Sequence, residues 1–181
     1  MKFTETAVRG AWVINLESRA DERGWFARFF CQHEFEQHGL CPNVAQINNS
    51  FNKYKGTLRG LHYQLAPKAE NKTVRCARGA LWDVIVDLRA DSPTFLHHFG
   101  VELNAENRTT LYVPAGCATG LLTLADDTET FYLTSEFYSP QHERGLRYND
   151  PKLGIRWPSP PVVISDKDLR HPDFDPAIHL K

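Results

Sequence analysis

A histidine, a lysine and two tyrosines stand in this chain where they could move protons beside a ketone. The run Arg59-Gly60-Leu61-His62-Tyr63-Gln64, with Lys72 soon after, places a candidate general base in a strand-like stretch near a fixed positive charge. Much further along, Phe131-Tyr132 and Phe137-Tyr138-Ser139-Pro140 supply phenols in an equally strand-like setting. Enolisation needs one group to remove a proton, one to steady the oxyanion and one to return the proton. A histidine or tyrosine in a strand is more often a packing residue, and a lysine at a strand end is commonly solvated. The chemistry therefore depends on the elements that would aim these groups at one another.

Short apolar, β-branched and aromatic runs recur between Gly, Pro, Asn and Asp, the pattern of many short strands. The expected strands cover residues 11–16, 25–30, 45–51, 57–64, 73–76, 80–88, 97–103, 109–113, 120–124 and 130–138. One clear helix is expected over 32–38, closed by Gly39, and Ser165 is placed to cap a short turn at Asp166-Lys167-Asp168. So many strands with so little helix predict an all-β sandwich or barrel. In Leu81-Trp82-Asp83-Val84-Ile85-Val86-Asp87 the alternation is imperfect, and Asp83 shares a face with Leu81 and Ile85. A carboxylate there must reach the wet mouth of a cavity or bond to another polar group.

A chain of 181 residues suits one domain with a sizeable core, here expected over 1–181 with a C-terminal extension from about residue 158. A net charge of −1 gives no overall basic field of the kind nucleic-acid binders carry. No run approaches the roughly 18 apolar residues of a membrane span, and the first residues lack a signal-peptide core. Cys31, Cys41, Cys76 and Cys117 show no metal-ligand spacing, so a reduced, cytoplasmic protein with structural thiols is expected.

The wording of these segments resembles the dTDP-4-dehydrorhamnose 3,5-epimerase family. The matches are Asp21-Glu22-Arg23-Gly24, Gln46 to Ser50, Leu58 to Gln64, Lys72, Asp83-Val84, Asp87-Leu88-Arg89, Ser92 to Phe95 and Val113 to Gly116. They continue with Tyr132, Tyr138-Ser139-Pro140, Glu143, Asn149-Asp150-Pro151, Ile155 to Pro158 and Ser165 to Asp168, in order over nearly the whole chain. The resemblance implies a double-stranded β-helix, a cupin-like jelly roll with few short helices. It implies a homodimer whose N-terminal strands complete the partner's sheet and site. It also implies an isomerase that epimerises a nucleoside-diphosphate 4-keto-6-deoxyhexose, dTDP-linked, at C3, C5 or both, with no cofactor and no metal.

On the same resemblance His62 is the base and Asp168 the carboxylate that orients it, with Asp83 a rival partner for that imidazole. Lys72 would face the C4 enolate, where a preorganised cation favours the transition state over the ketone. Tyr132 would be the acid on the other face of the ring, and Tyr138 a binding or packing aromatic. Arg23, Phe26, Gln46, Asn48, Arg59, Glu143 and Lys167 carry over as substrate-binding positions. Gln46 and Asn48, two apart, face one way on a regular strand, whereas Arg59 and His62, three apart, do not. If both line one pocket, Gly60 should mark a bulge or bend.

Two positions depart from the family. Pro114-Ala115-Gly116-Cys117-Ala118-Thr119-Gly120 has Thr119 where the family usually has histidine, and Arg28 stands where it usually has glutamate. The first bears on full two-centre epimerisation, the second on nucleotide preference; both residues remain candidates for contacting substrate. Three readings compete: a 3,5- or single-centre epimerase, a sugar-nucleotide-binding protein without turnover, and a metal-dependent cupin enzyme. Against the last, His97-His98 would face opposite sides of a strand, and no His-x-His is present.

Overall fold

The computed structural model describes residues 1–180. Two antiparallel sheets carry the chain. The first runs in the order β1 (Lys2–Glu5), β2 (Trp12–Asn15), β10 (Thr110–Val113), β7 (Lys72–Arg78), β12 (Thr128–Thr134) and β5 (Gln46–Asn52). The second is β13 (Glu143–Gly145), β6 (Thr57–Gln64), β11 (Cys117–Thr123), β8 (Ala80–Asp87) and β9 (His98–Asn104), with β14 (Val163–Ile164) parallel to β6. A separate two-stranded hairpin joins β3 (Arg19–Asp21) to β4 (Gly24–Phe26). Among the described residues the helices are short: α1 (Gln32–Gln37), α2 (Asp166–Leu169) and α3 (Pro176–His179).

The two sheets share one core. Val74 and Cys76 from β7 and Leu111 and Val113 from β10 meet Leu81 and Ile85 from β8 and Leu103 from β9. Full burial of each such aliphatic side chain contributes about 1.5–3 kcal/mol. The imperfect alternation of β8 has its cause here. Its other face, Val84 and Val86, lies under Leu146, Leu153 and Phe174 of the C-terminal segment. A strand covered on both sides has no polar face to show.

The expected strand over 25–30 stops at Phe26. Phe30 instead packs edge-on against Phe35 of α1 at 4.7 Å, and Phe29 lies beneath the Arg75 guanidinium. These aromatics serve packing rather than pairing. The strand expected to reach 138 ends at Thr134, where side chains bond the backbone locally: Thr134 Oγ1 donates to the Glu136 carbonyl, and the Phe137 N–H to Glu136 Oε1. Tyr138 therefore sits beyond the sheet. Ser165 caps α2 as expected, its Oγ accepting from the Asp168 N–H at 3.1 Å.

Candidate active site

Both sheets open onto one cavity of two lobes. The first, about 380 Å³, is lined by Arg59, His62, Lys72, Asp83, Thr119, Tyr132, Lys167 and Asp168 among others. The second, about 350 Å³, shares His62, Lys72 and Tyr132 and adds Gln46, Asn48, Tyr138 and Glu143. Each lobe falls in the range usual for small-molecule sites. His62 comes from β6 of one sheet; Lys72 and Tyr132 come from β7 and β12 of the other. The imidazole and the phenol thus reach the cavity from opposite walls.

The backbone of β6 makes this possible by breaking step at Gly60. Against β11, Thr119 pairs with His62 but Leu121 pairs with Arg59, so β6 carries one extra residue between them. Gly60 has φ of +111°, and a β-carbon there would lie 2.7 Å from the Gly120 Cα and 2.8 Å from the Thr119 carbonyl oxygen. Only glycine fits a positive φ against a neighbouring backbone this close. The bulge expected at Gly60 is present, and it turns Arg59 and His62 into the same lobe.

Asp168, not Asp83, meets the imidazole. Its Oδ1 lies 2.7 Å from His62 Nε2, and its Oδ2 accepts from the Gly60 N–H at 3.3 Å. Burial disfavours the Asp168 charge, but the His62 bond and the Gly60 N–H outweigh it and hold the carboxyl at about 2. An ionised acceptor on Nε2 leaves His62 Nδ1 as the nitrogen free to take a proton from the cavity. Asp83 is bonded to Thr119, whose hydroxyl donates to Oδ1 at 2.7 Å. Burial pushes Asp83 up to about 7, against the Thr119 bond and the nearby Lys72 charge.

Lys72 Nζ sits 3.0 Å from Glu70 Oε1, and both side chains are mostly buried. Burial, followed by the Glu70 charge, raises the Tyr132 phenol above its ordinary value, so it enters neutral solution as an acid. Arg59 is aimed by its Nε bond to Asn52 Oδ1 at 2.6 Å. On β5 residues 46, 48 and 50 turn inward while Ile47, Asn49 and Phe51 are exposed, so Gln46 and Asn48 do share a face. Glu143 Oε2 accepts from Lys167 Nζ at 2.6 Å and from the Tyr138 hydroxyl at 3.0 Å.

Three expected positions lie elsewhere in the single chain. Arg23 is 84% exposed and forks onto Asp21 within the β3–β4 hairpin. Phe26 is 73% exposed, and Arg28 donates to Glu34 at 3.0 Å near the N-terminus. None of the three lines either lobe. One participant went unread in the sequence: His171, whose Nε2 approaches Asp168 Oδ1 at 3.2 Å. Its spacing of three from Asp168 in a short helical turn was the available signal. His62, Asp168 and His171 offer donor atoms all within 4.8 Å of one another, the group of described residues that could hold a metal ion.

A family model described as dTDP-4-dehydrorhamnose 3,5-epimerase matches residues 5–176. The chain belongs to this family. It is 41% identical over 175 residues to the dTDP-4-dehydrorhamnose 3,5-epimerase of Shigella flexneri, covering 96% of each chain. A solved epimerase of that description from Elizabethkingia anophelis superposes with a TM-score of 0.93 at 38% identity, covering 96% of both. Another from Bacillus anthracis, solved with TDP and PPi bound, gives a TM-score of 0.91 at 39% identity, covering 96% of this chain and 99% of that one. The chain is thus an isomerase of the carbohydrate epimerase kind, on the cupin-like fold that the resemblance implied.

Proposed function

We propose that this protein epimerises a dTDP-linked 4-keto-6-deoxyhexose at C3 and C5, with His62 as base, Tyr132 as acid and Lys72 as the cation facing the C4 enolate. The observation that carries this reading is the placement of imidazole and phenol on opposing sheets of one cavity. The ketone makes both neighbouring C–H bonds acidic. His62 Nδ1 removes a proton on one face, and Asp168 steadies the imidazolium. Electron density moves to the C4 oxygen, where Lys72 stabilises the charge, and Tyr132 returns a proton from the other face. No step draws on a metal or a redox cofactor. Arg59, Gln46, Asn48, Lys167, Glu143 and Tyr138 line the remainder and would hold the nucleotide; an arginine fork suits a diphosphate.

Incubating enzyme and keto sugar in deuterium oxide tests it. Deuterium enters C3 and C5, His62→Asn stops entry at both, and Tyr132→Phe slows formation of the inverted product more than exchange. No exchange at either carbon overturns the proposal and leaves the binding-protein reading. Thr119 favours one variant, a single-centre epimerase. Its hydroxyl proton is committed to Asp83, so position 119 itself offers no side chain that exchanges a proton near neutrality as a histidine would. Exchange at C3 or C5 alone identifies this variant.

The working form is a homodimer in the cytoplasm. Every residue of the β3–β4 strands is exposed, with Phe26 projecting from the end, and Ile47, Phe51 and Phe131 make an apolar outer face on β5 and β12. Apolar exposure of this kind marks an interface. A neighbouring copy seated there would bring Arg23 and Phe26 to the other chain's cavity, and Arg28 beside them. Mixing inactive Arg23→Ala and His62→Asn chains then restores activity, because one hybrid site is whole. The four free cysteines fit a reducing compartment, and no helix among the described residues is long and apolar enough to cross a membrane.

A further inference from the structure

His171 is built into the histidine–aspartate pair rather than merely lying near it. Its ring stands edge-on to the His62 ring, centroids 5.4 Å apart and planes at 86°. The side chain is 12% exposed, and its Nε2 lies 3.2 Å from Asp168 Oδ1, the same oxygen that His62 Nε2 meets at 2.7 Å. That Nε2 is buried and has no partner with hydrogen-bond geometry. Space for the ring comes from Gly145, which pairs with His62 across β13 and β6; a β-carbon at Gly145 would clash with the His171 ring.

A buried N–H without an acceptor is costly, and the nearest acceptor is the Asp168 carboxylate. The titratable and charged groups facing His171 are Asp168 on its own turn, His62 on β6 and Lys167. Burial, then the His62 charge, lowers the proton affinity of His171, so it stays neutral while His62 cycles. We propose that His171 is a positioning residue that shares the Asp168 carboxylate with His62, holding the base less basic than an isolated histidine–aspartate pair would make it. The proposal rests on the reading of His62 as the base. A neutral N–H 3.2 Å from Asp168 Oδ1 draws off part of the negative potential that would otherwise stabilise the His62 imidazolium. Without it the full carboxylate acts on His62, which then takes its proton at higher pH.

The test is a ¹⁵N-histidine NMR titration of the full-length enzyme and its variants, run beside the pH profile of kcat/KM. In His171→Phe and in His171→Ala, the second leaving the space open should the first fail to fold, the His62 titration and the acid limb both move up by about half to one unit. Below the limb kcat/KM then falls about three- to tenfold relative to wild type. His171→Gln, which keeps a neutral donor, titrates as wild type does. A His62 titration unchanged in both His171→Phe and His171→Ala overturns the proposal. If the His62 titration moves while the rate limb stays, His171 keeps its role and the assignment of His62 as base is what fails.

Discussion

Asp168→Asn tests the central pair with little change of shape. The wild-type carboxylate is 5% exposed, sits 2.7 Å from His62 Nε2, and receives the Gly60 N–H on its second oxygen. A hydrogen bond to a charged group is worth about 1.5–3 kcal/mol. Losing it as the imidazolium forms slows proton removal by roughly 10- to 150-fold. An amide can also turn its NH₂ toward Nε2 and favour the wrong tautomer, which in other histidine–aspartate pairs extends the loss toward ~10⁴-fold. The expected deficit in deuterium entry at C3 and C5 is therefore ~10- to 10⁴-fold near pH 7.5. The assay is NMR of the keto sugar in deuterium oxide, with calorimetric binding of the nucleoside diphosphate as a check that the cavity has kept its form. Exchange within threefold of wild type, with binding intact, would refute the assignment of Asp168 as the group that steadies the imidazolium.

Other expectations come from the same geometry. Gly60→Ala puts a β-carbon against Gly120 at a positive φ, and should cost about 3 kcal/mol in denaturant unfolding while displacing Arg59 and His62; a loss below about 0.5 kcal/mol would contradict the bulge. Asp83 binds a proton in the fold that the unfolded chain releases, so its contribution falls as pH rises from 3.8 to about 7. Asp83→Asn should then be more stable than wild type at pH 8.5, by a margin on the order of 4 kcal/mol that vanishes near pH 4; equal melting temperatures at both pH values count against this. Asp168 has the opposite sign, its folded value lying below 3.8, so its stabilisation is full above 3.8 and is lost as pH falls toward 2. That amounts to about 2 kcal/mol, read as a shallower acid limb of stability in Asp168→Asn. Exhaustive treatment with EDTA should leave the exchange rate unchanged; loss restored by one divalent ion would mean that His62, Asp168 and His171 serve a metal after all.

The strands that carry the site were legible because each is long enough to show a pattern and ends on turn residues. β5, β6, β7, β8 and β12 fall within a few residues of where periodicity places them. Even the break at Gly60 followed from arithmetic: two residues three apart cannot share a face without an extra residue between them. Short elements gave no such signal. β1, β3, β13 and β14 span two to four residues, fewer than two full alternations, and are fixed by tertiary pairing rather than by their own composition. The choice between Asp83 and Asp168 had no local answer, because one lies on the sheet and the other in the C-terminal turn.

That division shows how the site is assembled. On the proposed mechanism, the groups aimed at the ketone stand on rigid sheet positions, whereas the carboxylate assigned to steady the base arrives on a four-residue helix tied down by Ser165, Gly60 and the β14–β6 pairing. Asp83, nearer in the sheet, is unsuited to the task for a physical reason. Buried to 2% exposure with a threonine as its hydrogen-bond donor, it holds its proton up to about 7, and a neutral acid cannot stabilise an imidazolium. Asp168 is nearly as little exposed, but its donors are a backbone N–H and the imidazole itself, and they keep it charged. The two differ in depth as well as in donors: Asp83 lies deeper in the protein, and it lacks the cationic partner that His62 gives Asp168. Exchanging Thr119 for a stronger donor would therefore lower the Asp83 value without handing it the role proposed for Asp168, since among the described residues only the C-terminal turn brings a carboxylate within 2.7 Å of His62.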